Sequence, residues 1–247
     1  MRDDNYKRIE DVNKCWYKNM CSRFNTPECT KMCKNLTQTK YLLDLSGLPE
    51  SKKKPLKLDL NLLEPDTAQY LGSVLDDIKY FVKHGYNIYM WGDTGCGKTS
   101  WATKLLTNYF AAISETNAFQ CAGLYISVPS FLRDAKLHMT YKQPDYLELL
   151  QTIQTCDIVV WDDIIQTGPT DYESQWLYSY INERMFANKC NIFTGNRSPE
   201  DFSMINNQLH SRVCTVSDCI EITGYDMRDT LTYSQFMKKS GEEIKFE

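Results

Sequence analysis

The run Gly92-Asp93-Thr94-Gly95-Cys96-Gly97-Lys98-Thr99 satisfies every fixed position of the G-x-x-x-x-G-K-[ST] pattern. Such a loop needs glycines because its backbone must wrap closely round phosphate oxygens, with amide hydrogens turned inward at a helix N-terminus. A lysine at the seventh position bridges β- and γ-phosphates, and the hydroxyl after it completes a Mg²⁺ shell. The context is the one the pattern demands. Asn87–Trp91 is a short apolar run that reads as a buried strand, and from Ser100 to Phe110 apolar residues recur at Trp101, Leu105 and Tyr109, one face of a helix. Residues 92–100, Gly92 through Ser100, are therefore expected to hold ATP, with Cys96 filling a place that requires a small side chain.

A second acidic strand follows. Asp157-Ile-Val-Val-Trp-Asp162-Asp163 is apolar and ends in two carboxylates. Opposite a phosphate loop, Asp162 is expected to hold Mg²⁺ with Thr99, and Asp163 to orient or deprotonate the attacking water. The strand Asn191–Thr194 leads to Gly195-Asn196, and an amide at that tip can hydrogen-bond both the γ-phosphate and the water; Thr194 is a weaker candidate for the same duty. The two carboxylates and the amide favour water as acceptor over the hydroxyl of a small-molecule kinase substrate.

Around these motifs helix and strand alternate. Residues 67–84 read as one helix, 123–128 as a strand closed by Pro129, 146–155 and 172–187 as helices, and 218–223 as the last strand. Short buried strands alternating with helices predict an α/β fold with a parallel five-stranded sheet covered on both faces. The boundaries expected are a cysteine-rich module at 1–45, a connector at 46–66 marked by Pro49, Lys52–Lys54 and Pro55, and an ATPase domain at 67–247. No run approaches the roughly 18 apolar residues of a membrane span, and no secretory signal is visible, so a cytoplasmic protein is expected, in a bacterial cell or, if phage-encoded, in its host.

Strand order, motifs and the short stretch after the last strand resemble the AAA+ superfamily, and within it the DnaC/DnaI/IstB-like branch of helicase loaders and transposition ATPases with a reduced C-terminal lid. Phe193-Thr-Gly-Asn-Arg-Ser-Pro-Glu200 and Gln208-Leu-His-Ser-Arg212-Val look like that branch's motifs. The resemblance implies that Arg212 is an arginine finger reaching the ATP of a neighbouring subunit, hence a homo-oligomer when active. It also implies that Arg228, in Gly224-Tyr-Asp-Met-Arg228, touches the γ-phosphate in its own subunit. Trp161 before the acidic pair departs from the family's aliphatic pattern and puts the fine detail of the site in question.

The resemblance further implies an ATPase that places a ring-shaped, DnaB-type replicative helicase on single-stranded DNA. An IstB-like transposition ATPase and a stand-alone ATP-switched DNA-binding protein are the alternatives. In related loaders the region between the second strand and the acidic strand faces DNA, which points to Arg133, Lys136, Tyr141 and Lys142; three cations and an aromatic suit phosphates and a stacked base, though an amphipathic helix with a solvated face has the same pattern.

Residues 1–57 carry 13 Lys+Arg against 7 Asp+Glu, while the rest carries 15 against 25, so the front end is basic on an acidic body. Cys15, Cys21, Cys29 and Cys33 lie in that front end. Four thiolates within 19 residues are enough to enclose one Zn²⁺, and zinc would explain how a polar segment with little core folds. Zinc is the expectation, with free thiols and an iron–sulfur cluster as open alternatives.

Overall fold

A computed structural model of the chain describes Cys15, Lys18, Cys21, residues 24–27, Cys29 and residues 33–53, 58–117, 120–141, 144–165 and 171–224. Five strands form one parallel sheet: β1 (Asn87–Trp91), β2 (Gly123–Ser127), β3 (Ile158–Asp162), β4 (Cys190–Thr194) and β5 (Asp218–Glu221). Their order across the sheet is β2-β3-β4-β1-β5, so one strand, β4, separates the loop strand β1 from the acidic strand β3.

Helices cover both faces, and the period-2 alternation of the strands sorts side chains between them. Ile88, Met90, Val160 and Ile192 face α1 (Lys34–Leu45), α2 (Pro65–Asp76), α3 (Ile78–Lys83) and α4 (Lys98–Ile113). Tyr89, Leu124, Val159, Trp161 and Phe193 face the opposite layer, made by α5 (Val128–Tyr141), α6 (Pro144–Thr155), α7 (Asp171–Phe186), α8 (Pro199–Ile205) and α9 (Asn207–Val213). This is the α/β sandwich expected from the alternation.

Three local readings change. Residues 67–84 are two helices, because Asp77 leaves the helical region at φ −125°, ψ 42°. Pro129 opens α5 instead of ending a strand, since a proline in the first helical turn gives up no hydrogen bond. And α1, inside the stretch read as polar, is bound into the core. Its Leu42 and Leu43 are buried with Leu105 and Leu106 of α4, and Gln38 donates to the Asn117 carbonyl at 2.8 Å.

The expected zinc site is not assembled. Among the described residues, which include all four thiols, no group of three or more His, Cys, Asp or Glu side chains is placed to hold a metal. Cys15, Cys21 and Cys33 instead pack beside Leu36 of α1 and Ala111 of α4, as small apolar groups. No helix among the described residues is long and apolar enough to cross a membrane.

A buried polar knot ties α6, α7, β3 and β4 together. Arg184 of α7, fully buried, donates to the carbonyls of Ile153 (2.5 Å) and Cys156 (2.9 Å), which capping of the α6 C-terminus requires. It also donates to the Cys190 carbonyl at 2.7 Å and to Asn191 Oδ1 at 2.7 Å. Asn191 Oδ1 accepts a second bond from Trp161 Nε1 at 3.1 Å. The carboxyl end of β3 is thereby held from behind.

Candidate functional site

The phosphate loop runs from the end of β1 to the start of α4. Gly92, Gly95 and Gly97 all have positive φ (142°, 89° and 102°). At Gly92 the need for glycine is absolute in a second way: a Cβ there would lie 2.4 Å from the Ile222 carbonyl oxygen. Cys96 is buried, with its sulfur under the turn, which accounts for the small side chain there. Asp93 and Thr94 are exposed, and Thr99 and Ser100 are half-buried in the first turn of α4. The Lys98 ammonium lies inside the loop, donating to the carbonyls of Gly92 (2.9 Å) and Asp93 (2.6 Å).

Asp162 ends β3 and is buried, yet both carboxylate oxygens are supplied with donors. Thr194 Oγ1 donates to Oδ1 at 2.7 Å, and Tyr125 Oη donates to Oδ2 at 2.6 Å. Thr194 belongs to β4 and Tyr125 to β2, so the carboxylate is oriented from both flanking strands. Burial, and then the neighbouring Asp162 carboxylate, push the Tyr125 phenol up, so it stays protonated and remains a donor. Asp163, the next residue, has φ 57°, a left-handed conformation that costs a non-glycine residue about 1 kcal/mol. Its amide donates to the same Thr194 hydroxyl at 3.0 Å, which helps fix the turn. One hydroxyl thus holds the Asp162 carboxylate and the backbone of Asp163.

The donor set suits a hard cation. A carboxylate held rigidly at a strand end and the Thr99 hydroxyl offer oxygen alone, as Mg²⁺ requires. Thr99 and Asp162 would hold the ion, which supplies charge neutralisation on the phosphates. Trp161 does not intrude. Its side chain packs on the opposite face of the sheet, edge-on to Phe131.

Asn196 is exposed just beyond β4. The Gly195 amide bonds to the Met90 carbonyl at 3.0 Å, which keeps this tip beside the end of β1. A Cβ on Gly195 would meet Tyr89 Oη at 2.5 Å, so the approach depends on glycine. Arg212 is elsewhere. It lies in the last turn of α9, donates to Tyr178 Oη at 3.3 Å, and lines a shallow pocket with Gly85 and Asn87 at the start of β1. A five-residue strand separates that pocket from the loop, roughly 15 Å at about 3.3 Å per residue. Arg212 does not join its own chain's loop and acidic pair. Arg228 lies outside the described residues.

Of the residues expected at DNA, Arg133 and Lys136 are exposed on α5, three apart, with Phe131 and Ala135 of the same helix buried. Both have acidic neighbours: Asp134 at 3.5 Å and Glu173 at 2.8 Å. Tyr141 ends α5 with its side chain outside the described set, and Lys142 lies outside it altogether.

Loop strand and acidic strand separated by β4, with a polar residue ending β4 bound to the acidic pair, define a P-loop nucleotide-binding ATPase of the AAA+ kind. The family model for the bacterial DnaA ATPase domain matches residues 72–216, and the chain belongs to that family. No curated protein matches it by sequence. Among solved structures, the fold is similar to that of DnaI (TM-score 0.55, 20% identity, 76% of this chain against 99% of that one). It is also similar to the DnaC helicase loader (TM-score 0.54, 15% identity, 73% against 96%). The replication initiator DnaA bound to AMPPCP and single-stranded DNA aligns at TM-score 0.53 and 16% identity, covering 83% of this chain and 57% of the initiator. At these identities the likeness is one of fold.

Proposed function

We propose that this ATPase is a helicase loader: with ATP bound it engages a hexameric replicative helicase and places it on single-stranded DNA during replication initiation. The observation that carries this reading is the extent of the likeness to loaders, which takes in nearly the whole of the solved DnaI and DnaC chains. The basic, cysteine-containing segment ahead of α1 is then the helicase-contacting part of the expected 1–45 module. Lys98, Thr99 and Asp162 bind Mg·ATP, Asp163 and Asn196 position the water, and Arg212 completes the site of a neighbouring copy. Arg133 and Lys136 meet DNA phosphates, exchanging Asp134 and Glu173 for them, which makes the contact salt-sensitive. The family match, with the likeness to the initiator DnaA solved with AMPPCP and single-stranded DNA, favours one second reading, an ATP-switched DNA-binding protein acting without a helicase.

Native mass spectrometry of the chain mixed with its cognate replicative helicase, ATP and Mg²⁺ separates the two. A defined complex, lost on deletion of residues 1–32, supports the loader; that deletion spares α1, whose leucines fill the core. Absence of a complex under every nucleotide condition, with DNA binding retained, selects the second reading.

A further inference from the structure

Among the described residues β2 is an edge strand, paired to β3 alone, and the connector runs along its outer edge. The Tyr125 amide donates to the Ser46 carbonyl at 2.7 Å. Gly47 follows at φ 73°, where a Cβ would come within 3.1 Å of the Tyr125 carbonyl oxygen, so the chain passes this edge as closely as it can. A short 3₁₀ turn, Glu50–Lys52, then brings Lys52 back over the strand. Its ammonium lies 5.1 Å from the centre of the Tyr125 ring and 3.4 Å from the hydroxyl oxygen. That hydroxyl is the one bonded to Asp162 Oδ2 at 2.6 Å. Lys53 braces the turn through Asp44 at 2.9 Å and Glu50.

We infer that Lys52 and Tyr125 are positioning residues for ATP hydrolysis, a relay through which the connector between the N-terminal segment and the ATPase core sets the geometry of the metal-holding carboxylate. The inference rests on the reading of Asp162 as the Mg²⁺ residue. The chemistry is directional. A phenol has one hydrogen and two lone pairs, and a cationic donor on the oxygen leaves the hydrogen for the carboxylate. A charge at one end also polarises the next bond and strengthens it. The Lys52 ammonium is linked to the carboxylate through these two contacts, so moving the connector off β2 takes the cationic donor off the phenol and frees it to rotate. Any partner that pulls on the residues before Ser46 acts on this contact, because Ser46 and Lys52 sit on the same strand edge.

The test is steady-state ATPase of the full chain, titrated with Mg²⁺ at fixed ATP, for Tyr125→Phe, Lys52→Met, Lys52→Arg and the double variant. Tyr125→Phe keeps the ring and its packing, and is expected to raise the Mg²⁺ concentration for half-maximal turnover about tenfold while the KM for ATP changes less than about twofold. Lys52→Met is expected to move it the same way by about threefold, and Lys52→Arg to restore it. The double variant should be no worse than Tyr125→Phe alone, since the lysine acts only through the phenol. Additive effects in the double variant overturn the relay, as does an unshifted Mg²⁺ profile in Tyr125→Phe. Asp162→Asn separates the two levels. If it turns over with the wild-type Mg²⁺ profile, the site reading fails and the relay with it; if it is inactive while Tyr125→Phe behaves as wild type, the relay alone fails. Thermal melts of each variant distinguish a shifted metal response from loss of fold.

Discussion

Thr194→Val isolates the hydroxyl that the Asp162 carboxylate and the Asp163 amide share. Valine is close in shape and suits a strand, so packing at this fully buried position is preserved. Two bonds disappear. The 2.7 Å bond to Asp162 is charge-assisted, of a kind worth about 1.5–3 kcal/mol. The 3.0 Å bond from the Asp163 amide leaves a half-buried donor without that acceptor, about 1 kcal/mol at the low end of the range. A net loss of about 2–4 kcal/mol in unfolding free energy is expected, read as a lower urea midpoint at unchanged slope. Turnover should fall about 10–100-fold, since Asp163 loses a bond that fixes its left-handed turn and Asp162 loses one of its two orienting donors. If Mg·ATP binding weakens tenfold, saturating Mg·ATP will stabilise the variant by about 1.4 kcal/mol less than it stabilises the wild type. Thr194→Ser is the control, because it retains the hydroxyl. Equal midpoints and equal turnover for the valine and serine variants would refute the assignment of Thr194 as the organising hydroxyl.

Lys98→Ala should abolish nucleotide binding by calorimetry, because the ammonium inside the loop is the cation available to the β- and γ-phosphates; retained ATP affinity sinks the loop assignment. Arg212→Ala should keep ATP binding and lose turnover, and mixing it with Lys98→Ala should restore activity, since one variant supplies a nucleotide and the other an intact finger. Failure of the mixture to recover, with both variants folded, argues against action across subunits. Arg184→Met should destabilise the fold by about 3–9 kcal/mol, because three backbone carbonyls within 3 Å lose their donor at about 1–3 kcal/mol each. A loss under about 1 kcal/mol in urea unfolding would mean that water or a rearranged α6 terminus replaces the guanidinium.

The two halves of the site were legible to different degrees, and the reason is locality. The phosphate loop is contiguous, so its chemistry is written in adjacent residues: glycines at positive φ, a lysine inside the turn, a helix behind it. Asp162 was legible because an apolar strand ending in acid is also a local pattern. Its orienting partners were not. Tyr125 reaches Asp162 only because β2 and β3 pair in parallel with Ser127 opposite Asp162, a register that neither strand states alone. Alternation along β3 does carry some of this. It puts Trp161 and Asp162 on opposite faces, which by itself answers the concern that the indole would crowd the site. Arg184 gives no sequence signal, since an arginine in a long helix reads as solvated until α6 is seen to end against it. The polar look of residues 34–45 likewise hid Leu36, Leu42 and Leu43, which are buried while the rest of the helix carries the polarity.

This division has a consequence for how the site can be controlled. The loop half is built within one strand–turn–helix. The acidic half is held by single hydroxyls from two other strands, one of them an edge strand with the connector lying on it. A small displacement at the edge therefore reaches Asp162 through one phenol, while Lys98 and the loop glycines keep their places. On the proposed reading, changes at Thr194 or Tyr125 are expected to impair hydrolysis more than nucleotide binding, and changes within residues 92–99 to impair both together.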